Sequence, residues 1–101
     1  MTSRSTWQRH ERHIARQFGA QRAPLGVAGA DVVTGAYSIE CKAWQRLPAK
    51  VLAALQQAER SATSNQVALA IIHETGQRRA DDLVIMRMAT FERMVGDDAD
   101  D

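Results

Sequence analysis

The chain has 101 residues, of which 45% are hydrophobic and 25% are charged, and its formal net charge is +1. This balance excludes a disordered chain and predicts one globular domain over residues 1–95, followed by an acidic, disordered tail at 96–101. No apolar run approaches the roughly 20 residues that cross a bilayer, and no apolar signal segment stands at the N-terminus, so we expect a cytoplasmic protein without membrane contact. Cys41 is the only cysteine, which excludes an intramolecular disulfide and a cysteine-based zinc site.

Positive charge is concentrated near the N-terminus. Residues 1–30 contain a single acid and five arginines, which are Arg4, Arg9, Arg12, Arg16 and Arg22. A basic segment of this kind suits the phosphate backbone of a nucleic acid. On composition alone, an arginine-rich helix face in contact with solvent is an equally good interpretation.

A first helix is predicted over residues 6–18 by apolar residues at helical spacing. Trp7, Ile14 and Phe18 fall on one face. Glu11 falls on the same face, although burying an acid is costly unless another group pairs with it. Glu11 is therefore unusual in this helix, and the alternative is that it lies at the edge of the apolar face.

Two short strands are predicted at 31–34 and 36–43, with Gly35 at the turn between them. In the second strand an apolar set of side chains alternates with a polar set, as in a strand with one buried face. Glu40 and Lys42 share the polar face. The hairpin is thus expected to present an acid and a base side by side.

The second half of the chain completes an α/β pattern. It predicts a helix at 48–62, a strand buried on both faces at 67–73, a strand at 83–88 and a helix at 90–95. The element order is helix, strand, strand, helix, strand, strand, helix. This order predicts an α/β fold in which a central mixed sheet is flanked by helices.

Four residues of the first predicted hairpin suit the hydrolysis of a phosphodiester. That reaction needs a metal to neutralise the phosphate, an activated water and a cation near the developing charge. Mg²⁺ prefers oxygen ligands and usually takes one or two carboxylates. Asp31 and Glu40 supply two carboxylates, and the backbone carbonyl of Cys41 supplies a further ligand. Lys42 would then lie beside the metal-bound water, although a surface salt bridge between Glu40 and Lys42 is the alternative.

The segments Gly-Ala-Asp-Val-Val at 29–33 and Ile-Glu-Cys-Lys at 39–42 resemble the D…(E)xK signature of the PD-(D/E)XK nuclease superfamily. The resemblance extends over residues 11–91 and is greatest to small Holliday-junction-resolvase-type endonucleases of archaea and phages. It implies a restriction-endonuclease-like core, Mg²⁺ with Mn²⁺ as a substitute, and a homodimer that cuts four-way or other branched DNA. Glu11 resembles the helical glutamate that many members add to the metal site, and Gln57 resembles a glutamine on the following helix.

Gln57 enters this set of catalytic residues through the resemblance alone. Helical geometry turns it away from the packing face centred on Leu55, and Gln56 lies nearer to the rim of that face. The catalytic residues that the resemblance implies are Glu11, Asp31, Glu40, Lys42 and Gln57.

Three further residues are candidates for contact with DNA. Trp44, directly after the second strand, suits stacking on a base or sugar, with packing under a loop or in a dimer contact as the alternative. Arg78 and Arg79 lie in a polar connection, where they suit phosphate contact or an ordinary solvated turn.

Two rival interpretations of function remain beside a junction-cutting nuclease. The first is another nuclease with the same centre, such as a nickase, a flap endonuclease or a restriction-type enzyme. The second is a DNA-binding subunit that keeps the fold without turnover. The presence of Asp31, Glu40 and Lys42 together argues against the second interpretation.

Overall fold

The structure is a computed structural model that describes residues 4–19 and 31–96. The chain divides into two compact units, a first unit up to Arg46 and a second unit from Leu47. In chain order the elements are α1 (Arg4–Gln17), β1 (Val32–Val33), β2 (Ser38–Ile39), α2 (Ala49–Ser61), β3 (Ala70–Ile72), a 3-10 helical turn (Arg79–Asp81), β4 (Leu83–Ile85) and α3 (Met88–Gly96). Three helices and two small antiparallel sheets confirm the α/β class that the sequence predicts.

Helix α1 has the apolar face that its sequence predicts. Ile14 and Ala15 are buried, with 7% and 4% of their surfaces exposed, and Phe18 is half-buried. This face packs against β1, in which Val32 has no exposed surface. Glu11 lies on the same face and is only 2% exposed. The expectation of an acid within the buried face is therefore confirmed.

Strands β1 and β2 form an antiparallel hairpin. Val32 pairs with Ile39, and Val33 pairs with Ser38. Both strands are shorter than the sequence predicts, although they pair around the predicted turn. Continuing the register by one position sets Asp31 opposite residue 40, so the two predicted carboxylates come from neighbouring positions of one hairpin.

Thr34 closes the turn of this hairpin. Its backbone N–H donates to the carbonyl of Tyr37 at 2.8 Å. Its hydroxyl oxygen accepts hydrogen bonds from the backbone N–H groups of Ala36 at 3.1 Å and Tyr37 at 2.9 Å. A threonine side chain that satisfies two backbone donors in this way holds a turn of fixed length.

Side chains continue to alternate beyond the end of β2. Cys41 is 2% exposed and Ala43 is half-buried, whereas Glu40, Lys42 and Trp44 are exposed. This is the burial pattern of an extended chain with one face against a core. The alternation predicted from sequence thus holds even where no strand pairing is present.

Helix α2 begins one residue after Pro48, whose φ is −55° and whose carbonyl accepts from the N–H of Leu52 at 3.1 Å. A proline is harmless at this position because the first N–H groups of a helix have no intrahelical partner. Leu55 is buried at 5% exposure, and α2 packs against β3, where Ala70 is also buried. The predicted helix and its packing face are confirmed.

Strands β3 and β4 form a second antiparallel hairpin, with Ile71 opposite Val84 at its centre. In the connection between them, Gly76 has a φ of 89°, a conformation that glycine adopts without steric cost. The prediction of a strand buried on both faces at 67–73 is wrong. Only Ala70–Ile72 is paired, and Ile71 is 56% exposed because alternation turns it away from the buried side of Ala70. An apolar run is compatible with either kind of strand.

Within residues 4–19 and 31–96 the strands form two separate two-stranded sheets. This differs from the predicted single central mixed sheet, because each strand pairs with its neighbour in sequence through a short connection. A restriction-endonuclease-like core and a single domain over residues 1–95 stay predictions. Residues 97–101 of the predicted tail lie outside the described residues. None of the described helices is both long enough and apolar enough to cross a membrane.

Candidate active site

Asp31 is fixed by a hydrogen bond across the first hairpin. Its Oδ2 accepts from the backbone N–H of Cys41 at 2.8 Å. This N–H group lies beyond the paired residues of β2, and the Asp31 carboxylate is its acceptor. An ionised carboxylate has about four acceptor positions, so this single bond leaves Asp31 with capacity for another ligand.

Glu40 and Lys42 lie on the exposed face of the same segment. The Lys42 Nζ donates to Glu40 Oε1 at 3.2 Å, and the two side chains are 59% and 55% exposed. The sequence predicted that these residues share a face, and their pairing confirms it. The pair is also the surface salt bridge that was the alternative to a catalytic role. Because exposed ion pairs contribute about 0–1 kcal/mol, this pair adds little to stability.

Glu11 reaches the site from α1. It is more buried than the apolar residues Ile14 and Ala15 beside it. Among the described residues, no buried side-chain nitrogen or oxygen lacks a hydrogen-bond partner. Because Glu11 is only 2% exposed, the alternative that it lies at the edge of its helix face is wrong.

Four charged side chains act on the thiol of Cys41. The pKa of its thiol is raised from the ordinary value of 9.0, first by burial and then by the carboxylates of Asp31, Glu11 and Glu40, while Lys42 acts in the opposite direction. The Coulomb energy between two charges falls with distance. The three predicted catalytic acids and the predicted lysine are therefore near enough to Cys41 to act on its thiol. The thiol itself stays protonated, so it is no nucleophile.

The oxygen atoms in this group suit Mg²⁺. The Asp31 and Glu40 carboxylates and the backbone carbonyl of Cys41 are hard ligands of the type that Mg²⁺ prefers. In residues 4–19 and 31–96, no three His, Cys, Asp or Glu side chains lie close enough together to hold an ion by themselves. Mg²⁺ commonly uses one or two carboxylates and completes its shell with water, so two carboxylates are sufficient.

Three of the predicted DNA-binding arginines form a stripe on α1. Arg9, Arg12 and Arg16 are exposed, and their spacing of three, four and seven residues places them on one side of the helix. That side lies opposite the face that carries Glu11. Arg4 lies in the first turn of α1. Arg22 is outside the described residues.

The other two predicted DNA-binding arginines are in the second unit and have acidic partners. Arg78 donates two hydrogen bonds to Asp81, from Nε and Nη2, each at 3.1 Å. Arg79 Nη1 lies 3.9 Å from Asp82 Oδ2. The structure therefore favours the interpretation of these residues as part of an ordinary charged turn, and their contact with DNA stays a prediction.

Gln57 lies on α2, also in the second unit, and it is exposed. Its position relative to the buried Leu55 is the one that helical geometry predicts. Gln56, the alternative, is exposed as well. A catalytic role for either glutamine stays a prediction.

Two groups of side chains were not foreseen from sequence. His73 Nδ1 lies 2.6 Å from Asp82 Oδ1, and these two residues follow the Ile72–Leu83 pair in the register of the second hairpin. Pairing of the two predicted strands at this register would have brought them together. Arg46, two residues after Trp44, is exposed in the bend at residues 45–46, and it was not singled out from the sequence.

An open cleft of about 360 Å³ lies in the second unit between the end of α2 and the segment before β3. Its lining is Ala58, Ser61, Ala62, Gln66, Val67, Ala68 and Leu69. None of these side chains titrates near neutral pH, so the lining offers no acid or base for catalysis.

Comparisons with protein-family models, with curated proteins and with solved structures found no match to this chain. The resemblance to PD-(D/E)XK nucleases therefore rests on the residues of the chain itself. The same residues, Asp31, Glu40, Lys42 and Glu11, are the ones that gather around Cys41 in the structure.

Proposed function

We propose that this protein is a Mg²⁺-dependent endodeoxyribonuclease of the PD-(D/E)XK type that acts as a homodimer on branched DNA, with four-way junctions as its leading substrate. The observation that carries the proposal is the first hairpin, where Asp31 bonds to the Cys41 N–H and the register sets Asp31 opposite Glu40, which is paired with Lys42. Two carboxylates at neighbouring positions are a common protein contribution to a Mg²⁺ site, and Glu11 is buried on α1.

In the proposed reaction a water oxygen attacks the phosphorus of one phosphodiester, and the bond from phosphorus to the leaving sugar oxygen breaks. The attacking water loses a proton and the leaving oxygen gains one. Mg²⁺, when bound, neutralises phosphate charge and makes its water more acidic. Asp31 and Glu40 would hold the ion, and the Lys42 ammonium would donate a hydrogen bond to the attacking water or to a phosphate oxygen.

The exposed pair of Glu40 and Lys42 suits these two roles. Because an exposed pair is weak, an arriving phosphate draws the ammonium away at small cost. Glu40 is then free to bind the cation. Glu11, buried on α1, would raise the negative potential at the site and so favour cation binding.

The arginine stripe on α1 supports nucleic acid as the substrate. Arg9, Arg12 and Arg16 are exposed, and no ion pair of theirs is present among the described residues. Phosphate contacts of this kind position a protein on DNA without reading its sequence. The proposed dimer follows from the two-fold symmetry of a four-way junction, because two symmetric cuts need two related sites.

The direct test is cleavage of a labelled four-way DNA junction, with linear duplex and single strand as comparison substrates, in Mg²⁺, Mn²⁺ and EDTA. We expect paired symmetric nicks in either metal and none in EDTA. Lys42→Ala should lose at least about 100-fold in rate, as removal of one charge-stabilising group commonly does. Lys50→Ala is the matched control, since Lys50 is the other lysine of the chain and is exposed on α2.

Equal cleavage of all substrates would support the nuclease activity and contradict the preference for junctions. Absence of metal-dependent cutting on any DNA would overturn the proposed activity. A monomer at micromolar concentration in size-exclusion chromatography with light scattering would overturn the dimer.

A second candidate is a DNA-binding subunit on the same fold without turnover. The exposed ion pair of Glu40 with Lys42 favours it, because a surface salt bridge needs no catalytic explanation. The same cleavage experiment separates the two, since a binding subunit retains the junction in a gel-shift assay but leaves it intact in Mg²⁺. Nickase, flap and restriction-type activities are separated by the substrate panel.

A further inference from the structure

Trp44 occupies the face that presents the proposed catalytic lysine. Burial alternates from Glu40 through Trp44, so the exposed side chains of Glu40, Lys42 and Trp44 follow one another on one side of the segment. In an extended chain, residues two positions apart are separated by about 6–7 Å. The Cα atoms of Lys42 and Trp44 are therefore about 6–7 Å apart.

The Trp44 side chain is 62% exposed. Moving a large aromatic side chain out of water lowers the free energy, so an exposed tryptophan points to a binding surface. Tyr37 is 38% exposed, but its ring packs against Phe18 with 5.4 Å between centroids. Tyr37 is thus occupied within the first unit, whereas the Trp44 ring presents most of its surface to solvent.

Two cationic residues flank Trp44 in the chain. Lys42 precedes it by two residues on the same face, and Arg46 follows it by two residues and is exposed in the bend at residues 45–46. Arg46 has no acidic partner among the described residues. A cation beside an exposed aromatic ring matches a nucleotide, which has a negative phosphate and a flat apolar base.

We infer that Trp44 stacks on an unpaired base adjoining the phosphate that Lys42 contacts. The inference rests on the proposed function and narrows its substrate. Both faces of a base inside continuous duplex are already covered by neighbouring bases, so stacking on Trp44 requires a base that has left the helix. The substrate class is therefore DNA with an unpaired nucleotide beside the cut, as at a branch point.

Fluorescence of Trp44 tests this without any need for cleavage. The chain has two tryptophans, so Trp7→Phe leaves Trp44 as the only indole. This protein is titrated in EDTA with a short oligothymidylate and, separately, with a blunt hairpin duplex of equal phosphate number. We expect the single strand to quench Trp44 emission more strongly than the duplex does.

Affinity for the single strand gives the second readout. Trp44→Ala should weaken binding about 5- to 150-fold, the range for loss of one stacked base, whereas Trp44→Phe should keep most of the affinity. Leu47→Ala is the matched control, because Leu47 is also large, apolar and 56% exposed. Unchanged thermal unfolding of each variant shows that the fold is retained.

Equal quenching by duplex and single strand, or unchanged single-strand affinity in Trp44→Ala, would overturn the inference. These measurements are separate from the cleavage assay. If Trp44 stacks on the single strand but the protein cuts no DNA, the nucleotide-binding role of Trp44 is supported and the nuclease activity is rejected. If the protein cuts DNA but Trp44 contributes nothing to single-strand binding, the nuclease activity is supported and the stacking is rejected.

Discussion

Charged side chains are arranged differently in the two units of the chain. In the second unit, acids and bases form pairs: Arg87 donates from Nε and Nη2 to Glu59 at 2.9 and 3.0 Å, and Arg78 donates twice to Asp81. In the first unit, three acids gather around Cys41, and Lys42 lies beside one of them. Paired charges neutralise each other and need no further explanation. In the first unit, by contrast, the Asp31 carboxylate bonds to a neutral backbone N–H, that of Cys41, so this comparison directs attention to the first unit.

The largest effect is expected at Glu40. Glu40→Gln keeps the size of the side chain but removes a charged metal ligand, so cleavage in Mg²⁺ should fall about 100- to 1,000-fold. Thermal unfolding should hardly change, because the Glu40–Lys42 pair is exposed.

Glu74→Gln, an exposed glutamate of the second unit, is the matched control for Glu40→Gln. Its cleavage rate should equal that of the unchanged protein. Equal rates for both variants would mean that the difference between the two units has no catalytic meaning.

A smaller effect is expected at Glu11. Glu11→Gln removes a buried charge while keeping the shape of the side chain, and groups that support a metal site in this way commonly contribute 10- to 100-fold to activity. The unfolding midpoint should shift by less than about 8 °C, which corresponds to about 1 kcal/mol for a chain of this size. A strongly destabilised variant that still cuts at full rate would make Glu11 a structural residue only.

The gathering of acids around Cys41 can be tested without any substrate. The pKa of the Cys41 thiol in the folded protein should lie above 9.0, and Asp31→Asn should lower it because one of the carboxylates that raise it is gone. The asparagine oxygen can still accept the hydrogen bond from the Cys41 N–H. The ¹³Cβ resonance of the single cysteine, followed against pH, reports this midpoint. Asp81→Asn in the second unit should leave it unchanged, and equal midpoints in all three proteins would contradict the gathering.

The smallest effect is expected at the Glu59–Arg87 pair. The hydrogen bond from Arg87 lowers the pKa of Glu59 below its ordinary value of 4.5. A depressed pKa in the folded state means that the stabilisation is complete above the unfolded value and is lost as pH falls through the folded one. Glu59→Gln should therefore lower the unfolding midpoint slightly at pH 7 and not at strongly acidic pH. A pH-independent difference would mean that packing, and not charge, is responsible.

Local patterns predicted the first unit well. Helical spacing predicted the buried face of α1 and the place of Glu11 on it, and alternation predicted that Glu40 and Lys42 share a face opposite Cys41. These features depend only on the period of a helix or strand. The contact between Asp31 and the Cys41 N–H depends on hairpin register, which the short turn at Thr34 sets.

Contacts that depend on strand pairing or on an irregular turn were harder to predict from the sequence. The apolar residues around Ile71 suggested a central strand, yet within the described part of the chain β3 pairs only with β4, because hydrophobic composition does not specify how many partners a strand has. The pairing of Arg78 with Asp81 was also missed, since it depends on the 3-10 turn at Arg79–Asp81. Side chains three apart meet in a helical turn but not in an extended loop.

The turn at Thr34 has a consequence for how the chain can vary. Side chains in an extended segment change faces at every residue, so one residue inserted or deleted between Thr34 and Glu40 would exchange the two faces. Cys41 would then meet solvent, while Lys42 and Trp44 would turn toward the core. Gly35 and Ala36 are exposed, and added bulk at Gly35 meets no neighbouring atom, so their identities are free to change. Homologous chains should therefore differ here in composition but keep the number of residues constant, or change it by two.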